Sequence, residues 1–141
     1  MSTNLYLSDP AADLRIAAQI DDILIALRSK GRHAIRILDL GCGAGGWLFR
    51  AVLRARMLGF AAIEGRGIDD EPRALDRAQE TAAHIHDPRI GLSFDLGETQ
   101  GALAEEEDHG ADIILIHQPD VDSADLSRVS AGAVIAVEAM R

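Results

Sequence analysis

The chain has very little cysteine, few aromatic residues and no long apolar run. Cys42 is the only cysteine among 141 residues, which excludes an internal disulfide. No apolar stretch approaches the roughly 20 residues that span a membrane. No basic-then-apolar leader opens the chain, so we expect a cytoplasmic protein without a membrane partner. With 48% apolar and 26% charged residues, the sequence predicts one soluble domain over 1–141.

Basic residues are also in the minority, and the formal net charge is −9. This disfavours nucleic acid as a partner, because Lys and Arg supply most of the binding to phosphate. Arg50, Arg54 and Arg56 form a local cluster, which we interpret as a solvated helix face rather than a binding patch. His84 and His86 straddle a predicted helix end, a poor geometry for sharing one ion, so we predict no metal site.

Apolar runs alternate with helical patterns along the chain. Strands are predicted over 34–40, 65–69, 90–95, 111–117 and 131–137. Helices are predicted from Pro10 to Gly31 and over 47–58, 72–84, 97–108 and 122–129. This alternation predicts a three-layer α/β fold, with a mostly parallel sheet covered by helices on both faces. Residues 1–30 would form an N-terminal helical segment, and residues 34–141 the α/β core.

Two details of the helices are predicted from spacing and charge. The first helix should bury a stripe that begins at Leu14 and continues through 17, 18, 21, 23, 24 and 27. Glu105 to Asp108 form an acidic run, which we expect to be solvated. Trp47 should pack the second helix onto the sheet.

A glycine-rich turn joins the first strand to the second helix, with Gly41, Gly43, Gly45 and Gly46 in it. Glycines permit a sharp turn and a close ligand approach, and a helix N-terminus offers unpaired N–H groups. The turn also matches G-x-G-x-x-G, which is weak evidence for a dinucleotide. Asp39, two residues before the turn, would repel a diphosphate but suits a ligand that carries an ammonium group.

The segment from Asp39 to Gly45 (DLGCGAG) closely resembles the first motif of the class I S-adenosylmethionine-dependent methyltransferases. The resemblance implies S-adenosylmethionine as the cofactor and strand order 3-2-1-4-5, with the ligand across the C-terminal ends of the strands. It places Gly41, Cys42, Gly43 and Gly45 around the methionine portion. Asp39 would lie near the ammonium group of the cofactor. A nicotinamide-dependent oxidoreductase is a weaker alternative, since the single tyrosine and single lysine lie far apart.

Two further strand ends resemble motifs of the same family. The segment from Gly67 to Pro72 resembles the second motif, which implies that Asp69 binds the ribose hydroxyls, with Asp70 as the second choice. Helix capping by Asp70 or Glu71 is the alternative. The acid after the third strand in the family binds the adenine amino group, which corresponds to Asp95 here, and Leu96 would flank the ring. Asp95 could equally serve a strand-to-helix turn.

The fourth strand ends in His117-Gln118-Pro119-Asp120. Family members that methylate amino groups carry a polar residue, two prolines and an aromatic residue here, a pattern that this chain lacks. His117 is a candidate general base, because histidine titrates near neutral pH, and a strand-end histidine is the alternative.

The predicted function is S-adenosylmethionine-dependent methyl transfer to a small-molecule acceptor. The alternative is a non-catalytic binding module, or one subunit of a larger methyltransferase. The family usually continues with a helix and an antiparallel hairpin beside the fifth strand. We therefore expect an apolar edge over 133–140, covered by a second copy, a partner subunit or the N-terminal segment.

Overall fold

The fold is known from a computed structural model, which describes residues 9–106, 110–117 and 130–137. The predicted helix over 122–129 lies outside the described residues, as does the edge beyond residue 137. The elements are α1 (Pro10–Ser29), β1 (Ala34–Leu40), α2 (Gly46–Met57), β2 (Ala62–Asp69), α3 (Pro72–Ala82), β3 (Ile90–Leu96), α4 (Thr99–Glu105), β4 (Ala111–Ile116) and β5 (Ser130–Ala136).

The five strands form one parallel sheet in the order β3-β2-β1-β4-β5. This confirms the predicted order. One apolar core lies between the sheet and the helices α1, α2 and α3, and a second lies beneath α4. Strands β2 and β3 are added on one side of β1 and strands β4 and β5 on the other. The connections therefore diverge between β1 and β4, and a crevice opens at the C-terminal ends of these two strands. Pairing of the β5 edge with another chain stays a prediction.

The buried face of α1 differs from the predicted stripe. Asp9 caps the helix by accepting a hydrogen bond from the Ala11 amide, and Pro10 takes the first helical position. Ile16, Ile20 and Leu24 are buried, but Leu14 is 72% exposed. Leu14 precedes Ile16 by two residues, which is about 200° around the helix. The prediction was wrong for Leu14, because a ridge spaced by four residues contacts the core. Leu24 is buried, and Ile23 and Leu27 pack against the core, as predicted.

Strand β2 begins at Ala62, three residues before the predicted start. Its two glycines, Gly65 and Gly67, weaken the strand signal in the sequence. A Cβ at Gly67 would lie 2.8 Å from Cys42 Sγ and 2.8 Å from a ring carbon of Phe94. The Cys42 and Phe94 side chains therefore pack so closely against β2 that this position requires glycine.

The acidic run at the end of α4 is not wholly solvated. Glu106 is 1% exposed, which corrects the prediction for that residue. Its carboxylate pairs with Arg36 at 2.6 Å and with Arg66 at 2.8 Å. Burial alone would raise the pKa of Glu106, but hydrogen bonds and charge from the two arginines lower it below its ordinary value. The ion pairs attach the end of α4 to β1 and β2.

The arginine cluster on α2 is engaged within the protein. Arg54 pairs with Asp21 of α1 at 2.8 Å, and Arg56 pairs with Asp87 at 2.8 Å. The Arg50 guanidinium lies 4.0 Å from the centroid of the Trp47 ring, a cation–π contact. These intramolecular partners account for the cluster without a nucleic-acid ligand.

Candidate active site

The glycine turn between β1 and α2 closes back onto β2. The amides of Gly41 and Cys42 both donate to the Ile68 carbonyl, at 2.8 and 2.9 Å. Gly41, Gly43 and Gly45 have φ angles of +83°, +58° and +91°, which side-chain-bearing residues rarely adopt. Gly45 is the N-cap of α2 and supplies no side-chain cap. Gly45 therefore offers no side-chain acceptor to the first amides of α2. These amides are suited to a ligand that binds the backbone at a helix N-terminus.

Asp69 joins the end of β2 to this turn. Its Oδ2 accepts a 2.7 Å hydrogen bond from the Gly43 amide, and its Oδ1 accepts a 2.9 Å bond from the Glu71 amide. Each carboxylate oxygen has two lone pairs, so acceptor capacity remains for a ligand. Glu71 caps α3 by accepting from the Arg73 amide. Glu71 therefore caps α3, whereas Asp69 is the residue predicted to contact the ribose. Asp70 is exposed beside them.

Asp39 lies at the C-terminal end of β1 with no solvent exposure. Its Oδ1 lies 2.7 Å from His117 Nε2, whereas its Oδ2 has no hydrogen-bond partner within the described part of the chain. Burial raises the pKa of the Asp39 carboxyl above its ordinary value, the hydrogen bond and charge of His117 lower it, and the charge of Asp69 raises it further. A buried carboxylate with one free oxygen provides a place for a cationic group.

His117 follows β4, the strand beside β1 on the other side of the crevice. Its amide donates to the Leu40 carbonyl at 3.2 Å, which holds the strand end against β1. The side chain is 21% exposed. Asp39 and His117 are 78 residues apart in sequence, and the strand order brings them into contact. The sequence singled out both residues but gave no sign of their contact.

Cys42 contributes backbone to the turn and a buried thiol to the core. The residue is 6% exposed. Burial raises the pKa of the Cys42 thiol to about 12, and the nearby charges of Asp39 and Asp69 act in the same direction. The thiolate is the reactive form, so Cys42 is an inert thiol in the folded protein.

The end of β3 supplies the predicted adenine residues. Leu96 is 63% exposed and pairs in register with Asp69, so it lies beside the predicted ribose site. Asp95 instead accepts a 2.8 Å hydrogen bond from Arg66 Nε. Glu98, two residues after the strand, is exposed and makes no capping hydrogen bond at the start of α4. Glu98 was not singled out from the sequence, because no motif marks it.

Trp47 packs against the main core and also lines a groove between α1 and α2. The groove encloses about 390 Å³ and is lined by Ile20, Leu53 and Met57, among others. The tryptophan thus packs α2 against α1 as well as the sheet.

A family model described as a methyltransferase domain matches residues 32–133. This chain belongs to the methyltransferase-domain family that the model describes. No curated protein matches the sequence. The match covers the glycine turn, both carboxylates of the crevice and His117, so the geometry described above lies within the methyltransferase domain.

Several solved structures share the fold. WbdD superposes with a TM-score of 0.63 at 22% identity, over 91% of this chain and 28% of the WbdD chain. A proposed S-adenosylmethionine-dependent methyltransferase from Methanococcus maripaludis gives 0.52 at 17% identity, over 96% of this chain and 67% of that one. A cyclopropane synthase from Mycobacterium tuberculosis gives 0.50 at 19%, over 72% of this chain and 31% of that one. The chain spans only 28% to 34% of the length of the first three structures that it matches.

Within 9–106, 110–117 and 130–137, no helix is long and apolar enough to cross a membrane. The same residues contain no group of three or more His, Cys, Asp or Glu side chains placed to hold a metal ion.

Proposed function

We propose that this chain binds S-adenosylmethionine at the glycine turn and transfers its methyl group to a small-molecule acceptor. The observation that carries the proposal is the free Oδ2 of Asp39, fully buried beside the turn. The methionine part of the cofactor carries an ammonium group, which would pair with that oxygen. Burial makes such a charge pair stronger than it would be in water.

The same charges argue against a dinucleotide. Asp69 lies close enough to Asp39 for its charge to raise the pKa of the Asp39 carboxyl. Both carboxylates adjoin the turn where a diphosphate would have to lie. Repulsion from the two carboxylates disfavours a diphosphate at the turn. A cofactor without phosphate is therefore favoured.

The rest of the cofactor site follows the strand ends. The backbone of Gly41, Gly43 and Gly45 would cradle the methionine portion. Asp69 would bind the ribose hydroxyls with its remaining lone pairs, and Leu96 would flank the adenine ring. Asp95 would accept a hydrogen bond from the adenine amino group while sharing its carboxylate with Arg66.

Glu98 offers a second carboxylate for the adenine amino group, because it is exposed at the same strand end and caps no helix. Separate titrations of Asp95→Asn and Glu98→Gln with S-adenosylhomocysteine would assign the contact to the variant that binds more weakly.

When bound, the cofactor would supply a methyl group on a positively charged sulfur. The chain would then have to hold the nucleophile of the acceptor in line with that methyl group, and positioning of this kind accounts for much of the rate. His117 would accept the proton that the nucleophile releases. The net charge of −9 favours a small molecule over nucleic acid as the acceptor.

Calorimetric titration with S-adenosylmethionine and S-adenosylhomocysteine tests the donor site. We expect micromolar binding of both ligands by the unsubstituted protein. Asp69→Ala should weaken binding about 10- to 100-fold, since hydrogen bonds to a charged group contribute about 1.5–3 kcal/mol. Asp70→Ala is the matched control and should bind normally. Absence of binding to the unsubstituted chain would reject the proposal, and binding without any methyl transfer would favour the non-catalytic module.

A further inference from the structure

The two oxygens of the Asp39 carboxylate have different surroundings, because only one of them contacts His117. Oδ1 lies 2.7 Å from Nε2 of the imidazole, and Oδ2 has no partner within the described residues. When the Asp39 carboxyl is ionised it only accepts hydrogen bonds, so the hydrogen between the two groups then belongs to Nε2. A neutral imidazole carries one N–H, and Nδ1 is therefore left with its lone pair.

The orientation of the ring is fixed by its surroundings. A Cβ added at Gly41 would lie 3.4 Å from Cβ of His117 and 3.9 Å from its Cδ2, so this edge of the ring faces the glycine turn. Nδ1 lies on the opposite side of Cγ from Cδ2, on the edge that points away from Gly41. Asp39 is buried within β1, between β2 and β4, so its side chain has little room to follow a rotation of the His117 ring.

The charges around Asp39 also favour this pairing. Asp69 and the Cys42 thiol are the other titratable groups that face it from β2 and the glycine turn. Asp69 adds negative charge, and the thiol stays neutral to about pH 12. Within the described residues that interact with Asp39, His117 is thus the only group that becomes cationic.

We propose that Asp39 is a positioning residue, which holds His117 in the Nε2–H tautomer so that Nδ1 is the proton acceptor of the site. The proposal deepens the function proposed above, and it rests on that function for the use made of Nδ1. The tautomer itself is a property of the chain without any ligand.

The proton balance of the step is simple. The heteroatom of the acceptor uses its lone pair to form the bond to the methyl carbon. The cofactor would supply the methyl group and would keep the electron pair of the broken carbon–sulfur bond, so its sulfur would become neutral. The proton of the heteroatom passes to Nδ1 of His117. The resulting imidazolium is paired with the Asp39 carboxylate until it releases the proton to water.

Nitrogen-15 NMR of labelled protein reads the tautomer directly, because protonated and unprotonated ring nitrogens resonate far apart. In the unliganded protein with a neutral His117 ring, we expect Nε2 protonated and Nδ1 unprotonated. Asp39→Asn should remove this preference, since an amide both donates and accepts. Asp70→Asn is the matched control: it removes an exposed charge next to the end of β2 and should leave the tautomer unchanged.

The outcomes separate the two proposals. A proton on Nδ1 of the neutral ring in the unsubstituted protein would overturn the positioning role, and so would an unchanged tautomer in a folded Asp39→Asn variant. If the Asp39→Asn variant does not fold, the tautomer measured in the unsubstituted protein decides the proposal by itself. Failure of S-adenosylhomocysteine to bind would reject the proposed function but would not alter the tautomer of the unliganded chain. If the ligand binds, the Nε2–H tautomer should persist in the complex.

Discussion

The Gly43 amide donates a 2.7 Å hydrogen bond to Asp69 Oδ2, across 26 residues of sequence. This bond ties the middle of the glycine turn to the end of β2. One carboxylate therefore sets the shape of the turn and faces the proposed ribose site. Loss of Asp69 should affect the turn even in the absence of ligand.

Amide hydrogen exchange at Gly43 measures this attachment. In Asp69→Ala the amide loses its acceptor, and we expect its exchange to become at least about 10-fold faster, as for a lost hydrogen bond to a charged group. Asp70→Ala should leave the Gly43 amide as protected as before. Equal exchange in the Asp69→Ala variant and the unsubstituted protein would contradict the role of this bond.

Gly45 and Gly46 are adjacent, yet alanine should have opposite effects at the two positions. At Gly45, φ is +91° and an added Cβ would lie 2.7 Å from the Phe49 ring. We expect Gly45→Ala to lower the free energy of unfolding by about 1–3 kcal/mol. At Gly46, nothing lies within 4 Å of an added Cβ, and alanine there should be neutral or stabilise by up to about 1 kcal/mol. Urea unfolding of both variants checks this, and equal losses would refute the distinction.

Cys42 should resist thiol reagents in the folded protein. Its thiol is buried and keeps its proton, with a pKa raised from 9.0 to about 12. At pH 8 we expect iodoacetamide to react only after denaturant is added, and mass spectrometry of the alkylated protein measures this. Rapid labelling of the native protein would show that the thiol is accessible.

The same thiol makes stability depend on pH in the alkaline range. Because the folded pKa is raised above the unfolded value, the contribution of Cys42 is complete below pH 9 and is lost as the pH rises towards about 12. Cys42→Ala should reduce this alkaline loss, as measured by thermal unfolding across the interval.

Asp39→Asn should stabilise the unliganded protein at neutral pH. Burial raises the pKa of the Asp39 carboxyl, so its contribution to stability is present below the unfolded pKa and is lost as the pH rises through the folded pKa. Asparagine has no charged form, so it removes the unfavourable burial of charge. We expect the melting temperature to rise by about 2–4 °C, equivalent to about 1 kcal/mol. A fall of the same size would mean that the bond to His117 outweighs the burial of charge.

Glu106→Gln should destabilise the fold strongly. The substitution removes the charge that Arg36 and Arg66 share, and hydrogen bonds to a charged group contribute about 1.5–3 kcal/mol. Arg36 would keep its pair with Glu64, and Arg66 its pairs with Asp95 and Glu105. Glu105 is the matched control, because its side chain is 65% exposed in its pair with Arg66, so Glu105→Gln should change stability by less than about 1 kcal/mol. Chemical denaturation compares the two. Losses of equal size would contradict the distinction between buried and exposed partners.

The buried position of Glu106 also predicts sensitivity to acid. Its pKa in the fold lies below the ordinary value of 4.5, so the stability that it contributes is present above that value and is lost as the pH falls through the folded pKa. The unsubstituted protein should lose this contribution below about pH 4.5, and Glu106→Gln should show a weaker dependence over the same range.

The family resemblance implied the strand order, and the sequence by itself determined the order of elements and the position of the glycine turn. These features depend on local patterns: apolar runs for β1 and β4, glycines before α2, and Asp9 and Pro10 at the start of α1. The DLGCGAG segment carried the family resemblance, because a turn with three positive φ angles tolerates few residue types.

Only the tertiary structure decided which side chains meet. The bond between Asp39 and His117, the attachment of Gly43 to Asp69 and the burial of Glu106 join residues from different strands and helices. No local pattern encodes such contacts, because they depend on strand order and on the register between neighbours. The same acidic residue is solvated at the end of an isolated helix and buried when that helix packs over two arginines of the sheet.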